Sequence, residues 1–317
     1  NNLKIIKLKS NFEIFKSRSF SGALGLFELF KLINKLNRSE TKILSMQSNL
    51  FSVLAAFLMR VKILVRVSED PCGATKFADR KIHSFFILIS KLITYNLSTF
   101  VVVNAYKSYL CVKNLLYNKN KLKILYNPSL KKIKNFKKKK NQNLILSVGR
   151  FCKQKNQILL LNTFLDLIKI TDYNYKLIIC GDGPDKNKII NFIKLNKLSN
   201  KVKLVNWSNK LDKYFNKSSI FVLTSLYEGM PNVLIEAINF NLPCISTNVS
   251  GVSDLLLKGK GGVILKNNDV NELKNNLIKI SENYDFYLNK TKIAKLNLKK
   301  FKINQAAKKY IDLLKKI

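Results

Sequence analysis

The sequence predicts an α/β protein: two Rossmann-like domains whose parallel sheets face each other across a cleft. Three observations lead there. Short β-branched runs alternate with segments of helical period along almost the whole chain. Strands that are apolar throughout belong to parallel sheets covered by helices on both faces, joined by right-handed crossovers. The alternation breaks once, at Asn127-Pro128, and restarts near residue 144 after a Lys-rich stretch without apolar periodicity. Finally, 317 residues with 47% hydrophobic and 24% charged side chains suffice for two cores.

In the first half, strand-like runs cover residues 3–8, 42–45, 62–67, 99–103 and 122–126, with helical stretches at 25–36 and 78–94. The apolar run 50–67 is interrupted by Arg60, Lys62 and Arg66, which fits a buried helix followed by a strand and not a membrane span. The second half has strands at 144–148, 176–180, 202–205, 220–223 and 244–247, and helices at 157–170, 186–195, 231–239 and 270–282. A final helix, 305–316, gathers Ala306, Tyr310, Leu313 and Leu314 on one face. The predicted organisation is a first domain over 1–128, an exposed linker over 129–142, a second domain over 143–300, and a C-terminal helix in 301–317 that packs back on the first domain. Ligands of such folds lie at the carboxyl ends of the strands.

The net charge of +38 points to a polyanion. Lys and Asn are both in excess, however, and the charge is spread along the chain apart from Lys137–Lys140. That is the pattern of compositional drift on solvated helix faces. Arg, the residue of base reading and bidentate phosphate contacts, is scarce. The sequence therefore argues against specific nucleic-acid binding, and an anionic membrane surface fits the charge better. Cys72, Cys111, Cys152, Cys180 and Cys244 form no C-x-x-C pair and read as buried free thiols. With one His, His83, in a helical pattern, no metal site is expected. Nothing reads as a secretory signal, and the expected compartment is the cytoplasm.

Three strand ends carry chemistry. Residues 144–148 run into Gly149 and Arg150, with Lys155 at the start of a helix. A Gly there admits a ligand to the backbone, and two cations can neutralise a diphosphate; a plain turn with two of many basic residues is the alternative. Residues 178–180 run into Gly181-Asp182-Gly183-Pro184, which turn chemistry alone also explains. Residues 220–223 run into Thr224-Ser225-Leu226-Tyr227, then Glu228-Gly229-Met230-Pro231 and a helix carrying Glu236. Pro231 suits a first helical position, and the free amides that follow can face an anion. Carboxylates accept from vicinal hydroxyls, which suits a sugar.

Together these residues resemble the second-domain signature of family 4 retaining glycosyltransferases of GT-B architecture: V-G-R, then Lys, a G-x-G-P turn, and E-G-x-P with a second Glu eight residues after the first. The resemblance covers residues 143 to about 282 closely and the first half loosely. It implies that Arg150 and Lys155 bind the donor diphosphate, that Glu228 contacts the transferred sugar, and that Glu236 holds the ribose hydroxyls. It also implies that Gly149, Gly181, Gly183, Gly229, Met230, Pro231, Asn232 and Val233 shape the donor site, with Trp207 beside the nucleotide base. The implied reaction is metal-independent transfer, with retention, of a hexose or N-acetylhexosamine from a nucleotide-diphosphate sugar, UDP foremost. The acceptor is a glycan or lipid-linked molecule, in polysaccharide or glycan biosynthesis. No cofactor is expected beyond the sugar nucleotide as co-substrate.

The chain also departs from the pattern. The family's opening strand and Gly-rich loop are not found before residue 9, so the chain reads as N-terminally incomplete. Glu69 and Asp70, after the strand 62–67, are the acceptor-side candidates, against a plain Asp-Pro turn. Asp254 stands where relatives usually carry Glu. The segment 76–91, with Phe85 and Phe86, is a candidate for peripheral contact with the inner face of the cell membrane. A polyanion-binding protein and an inactive transferase fragment remain the competing readings.

Overall fold

The computed structural model describes residues 18–46, 49–77, 81–134, 143–208, 211–267 and 269–317. The predicted strand 3–8, the Lys137–Lys140 run and residues 135–142 of the predicted linker lie outside the described residues. Contacts divide the chain into two units: Asn1–Asn104 with Tyr109–Leu125 and Lys309–Ile317, and Ala105–Ser108 with Tyr126–Lys308.

In chain order the first elements are α1 (Arg18–Asn34), β1 (Lys42–Ser45), α2 (Asn49–Leu58), β2 (Lys62–Val67), α3 (Pro71–Lys76), α4 (Lys81–Leu97), β3 (Phe100–Val103), α5 (Tyr106–Lys113) and β4 (Leu122–Ile124). The four strands form one parallel sheet in the order β1-β2-β3-β4. Val65, Val67, Val101 and Val103 face one core, while Leu64 and Val102 point the other way and meet Tyr310 and Leu313 of the last helix. This is the period-two consequence of a strand buried on both sides. The run 50–67 is a helix followed by a strand, as expected. No helix among the described residues is long and apolar enough to cross a membrane.

Cys72 and Cys111 correct the reading of all five cysteines as free thiols: they are joined in a disulfide. The β2–α3 turn and α5 meet only in three dimensions, so a separation of 39 residues gave no sign of the pair. Cys152, Cys180 and Cys244 are free, and burial pushes the Cys180 thiol up to about 12.

The second unit continues with β5 (Leu144–Val148), α6 (Gln157–Ile170), β6 (Lys176–Cys180), α7 (Lys186–Leu195), β7 (Val202–Val205), α8 (Asp212–Lys217), β8 (Ile220–Leu223), α9 (Asn232–Asn239), β9 (Cys244–Thr247), α10 (Val252–Leu255), β10 (Val263–Leu265), α11 (Val270–Glu282), α12 (Tyr284–Leu296) and α13 (Ile303–Lys315). Its six strands are parallel in the order β10-β9-β8-β5-β6-β7. Two cores cover the faces: α9 and α10 with Leu298 and Phe301 on one, α6, α7 and α11 on the other. Helix α6 earns its place through Leu160, Leu161, Phe164 and Leu167, all fully buried. Helix α9 ends where Asn241 turns left-handed, at φ 57°, and the Leu242 amide closes back on the Ala237 carbonyl.

Not all of the predicted linker is exposed. Leu130 is buried, its amide bonded to the Phe301 carbonyl, and the Lys134 amide donates to Asn239 Oδ1.

Candidate active site

Strand β5 lies mid-sheet, with β6 on one side and β8 on the other. The chain winds away from it in both directions, which makes β5/β8 the topological switch point, where loops diverge and leave a crevice at the carboxyl ends. The sequence puts two of its three chemical segments there: 149–156 after β5 and 224–231 after β8.

The two loops are laced together. The Leu226 amide donates to the Gln154 carbonyl at 2.7 Å, Gln154 Nε2 returns a bond to the Tyr227 carbonyl at 2.8 Å, and Thr224 Oγ1 donates to the Lys155 carbonyl at 3.0 Å. The consequence is that Lys155 Nζ pairs with Glu228 Oε1. Ser225 Oγ donates to the same oxygen at 2.7 Å. Both ion-pair side chains are mostly enclosed, at 18% and 11% exposure. A buried carboxylate needs such partners, because desolvating an unpaired charge costs several kcal/mol, of order 3–5. The lysine stem passes close to Gly149, where a Cβ would lie 3.3 Å from Lys155 Cδ. Arg150 is exposed and makes no ion pair among the described residues.

The Gly-rich turn after β6 buttresses the first loop. A Cβ on Gly181 would sit 2.0 Å from the Gly149 carbonyl oxygen, and one on Gly183 would sit 2.4 Å from the Phe151 carbonyl oxygen. The Phe151 amide in turn donates to the Asp182 carbonyl. These glycines are therefore required by packing, whatever else they touch.

Glu228 leads into Gly229, Met230 and Pro231. The sequence put Pro231 at the first helical position; it is the N-cap, and α9 begins one residue later at Asn232. The Leu234 amide is the first to find the Pro231 carbonyl, so the amides of Asn232 and Val233 precede the intrahelical ladder. Asn232 Oδ1 accepts from both Asn127 Nδ2 and Ser129 Oγ, at 3.0 and 2.9 Å. The turn itself rests on Gly251, at φ 79°, where a Cβ would come within 2.6 Å of the Gly229 carbonyl oxygen.

Glu236 lies one turn further along α9. Burial raises its pKa above 4.5, Asp212 adds to the rise, and Lys134 opposes it. Lys134 is itself paired with Asp212 and stands over the Phe240 ring. Trp207 follows β7, the edge strand two places from β5, and is 57% exposed. Its neighbour Asn206 accepts from Lys186 Nζ at 2.8 Å.

Of the remaining candidates, Asp254 and Asp70 are engaged elsewhere. Asp254 Oδ2 accepts from the Tyr106 amide at 2.8 Å, at the start of α5. In the first unit, Asp70 is buried and caps α3, its Oδ1 accepting from the Cys72 amide, while Glu69 is exposed. Asp70, Cys72 and Cys111 lie close enough to hold a metal ion, but both sulfurs are spent in the disulfide. The side chain of His83 lies outside the described residues. Sequence reasoning gave no role to Ser225, Thr247, Gln154, Asn127 or Ser129. The only available signal was the polar pair Thr224-Ser225 directly after an apolar strand.

The chain is similar to known proteins in sequence and in fold. The chain is 29% identical over 272 residues to the amylovoran biosynthesis glycosyltransferase AmsD of Erwinia amylovora, covering 83% of this chain and 72% of that one. It is 30% identical over 152 residues to a UDP-Gal:alpha-D-GlcNAc-diphosphoundecaprenol alpha-1,3-galactosyltransferase of Escherichia coli, covering 45% of this chain and 38% of that one. For three further relatives the match spans between 34% and 56% of their length. The fold is that of HepE of Anabaena, solved in complex with UDP, with a TM-score of 0.76 at 14% identity over 93% of this chain and 82% of that one. The fold class expected from the sequence, GT-B, is the one found. Over residues 129–297, more than half its length, the sequence matches the glycosyl transferases group 1, and the chain belongs to that family.

Proposed function

We propose that this protein transfers a hexose or N-acetylhexosamine, with retention, from a nucleotide-diphosphate sugar to a glycan or lipid-linked acceptor in polysaccharide or glycan biosynthesis. The observation that carries the reading is the Lys155–Glu228 pair at the β5/β8 switch point, beside the first turn of α9. A departing nucleoside diphosphate gathers negative charge. Lys155, the exposed Arg150 and the amides of Asn232 and Val233 are the groups that would meet it, without a metal ion. Glu228 would accept from hydroxyls of the sugar, Glu236 from those of the ribose, and Trp207 would flank the base. UDP is the favoured nucleotide, since HepE was solved with it and the E. coli relative is named for a UDP-sugar.

A lipid-linked acceptor would bring the enzyme to the cytoplasmic face of a membrane. Phe85 and Phe86 of α4 are 60% and 64% exposed, with Ile89 and Ile93 on the same helix, in a chain of net charge +38. An apolar helix face within a basic protein suits an anionic lipid surface. Glu69 and Asp70 stay the acceptor-side candidates, Glu69 the better placed because Asp70 is already a helix cap.

Trp207 is the only Trp, so its fluorescence reports the nucleotide directly. Titration with UDP, GDP and ADP and their sugars should perturb it and raise the melting temperature with one base preferred. Binding that ignores the base and collapses with salt would instead support the polyanion reading.

A further inference from the structure

We propose that Ser225 is a positioning residue that fixes Glu228 so that one carboxylate oxygen is kept for the donor sugar; this rests on the sugar-nucleotide reading above. Ser225 is fully buried, three residues before Glu228, at the carboxyl end of β8. Its hydroxyl donates to Glu228 Oε1, the oxygen that also takes Lys155 Nζ. No described residue bonds Oε2. Among the described residues the carboxylate is thus held by one oxygen alone, and Lys155 Nζ, with three N–H donors, has Glu228 as its one partner.

Ser225 is anchored in its turn. Thr247 Oγ1, at the end of β9 and fully buried, donates to the Ser225 carbonyl at 2.6 Å. Thr224 Oγ1 holds the Lys155 carbonyl. Two adjacent residues of one strand end therefore fix both members of the ion pair, one through its side chain and one through its backbone. A lysine alone is a poor orienting partner, because its ammonium rotates freely on a flexible stem. A hydroxyl on a rigid strand end supplies the missing direction, as precise sites demand of their supporting groups.

The test compares wild type with Ser225→Ala, measuring the dissociation constants of UDP, UDP-glucose, UDP-galactose and UDP-N-acetylglucosamine. Removing a hydrogen bond to a charged group should weaken the preferred UDP-sugar roughly tenfold and leave UDP within about twofold. Equal weakening of UDP and UDP-sugar, or no change in either, overturns the positioning role. Thr247→Val should give the same split at smaller size and carries the test should Ser225→Ala not fold; if it too weakens UDP and UDP-sugar equally, the proposal falls. If wild type binds none of the four and none of the corresponding GDP and ADP ligands, the sugar-nucleotide reading fails. The orienting role is then decided by crystal structures without ligand. In Ser225→Ala the Glu228 carboxylate should rotate or split into two conformers, and an unmoved carboxylate overturns the proposal.

Discussion

Lys155 and Glu228, which lie 73 residues apart in the loops that follow β5 and β8, form one enclosed ion pair at the switch point of the second sheet. The pair couples the two loops proposed to meet the diphosphate and the sugar of a donor. Loss of one charge therefore has a structural effect besides any effect on ligand binding.

Lys155→Met leaves the Glu228 carboxylate without its cation and should cost about 3 kcal/mol of stability, read by urea unfolding. Adding Glu228→Leu should recover most of that loss while abolishing transfer. A double variant no more stable than Lys155→Met alone would refute the coupling.

Gly181→Ala places a Cβ against the Gly149 carbonyl oxygen, backbone that has no room to give. It should destabilise by about 3 kcal/mol or more, displace the β5 loop, and so lower donor affinity as well. Gly25→Ala is the contrast. In the middle of α1, with nothing within 4 Å, it should be neutral or stabilise by up to ~1 kcal/mol. Thermal melts of the two variants side by side would check both.

Glu236 gives the stability a pH dependence of definite sign. Its carboxyl is raised in the folded state, so its contribution is full below the ordinary value of 4.5 and is lost as pH rises through the raised value. Glu236→Gln should therefore be more stable than wild type at neutral pH, with the advantage vanishing on acidification below 4.5. Stability curves from pH 3 to 8 would show it, and an advantage independent of pH would contradict the assignment. The same variant should bind UDP more weakly if Glu236 holds the ribose.

The Cys72–Cys111 bond closes a separation of 39 residues. On the chain-entropy account such a link stabilises by about 4 kcal/mol, so reduction or Cys111→Ser should lower the urea midpoint accordingly. Thiol titration of the unfolded, unreduced protein should count three free groups, Cys152, Cys180 and Cys244. Five would show that the bond does not form.

Much of the fold was legible because parallel strands buried on both faces must be apolar along their whole length. Strands β1–β9 fall within the residues read from the sequence, as do α6, α7 and α11. Strand β10, three residues long, and α12, whose apolar positions are diluted by Lys and Asn, carried too little periodicity to be seen. The site was legible as a set of loop residues, because Gly149, Gly229 and Pro231 punctuate strand ends and leave a local signature.

What the sequence by itself determined is therefore the α/β class, the two strand series and the loop segments proposed to meet a ligand. What only the tertiary structure decided is which of those residues meet each other. The sequence grouped Lys155 with Arg150, five positions away; the fold pairs it with Glu228 and leaves Arg150 exposed. It passed over Ser225 and Thr247, which bind that pair to the sheet, and left Cys72 and Cys111 apart. The reason is physical: periodicity and turn chemistry are local and leave a trace along the chain, whereas an ion pair, a disulfide or a buried hydrogen bond depends on strand order, which brings together residues whose sequence neighbours reveal nothing of the encounter.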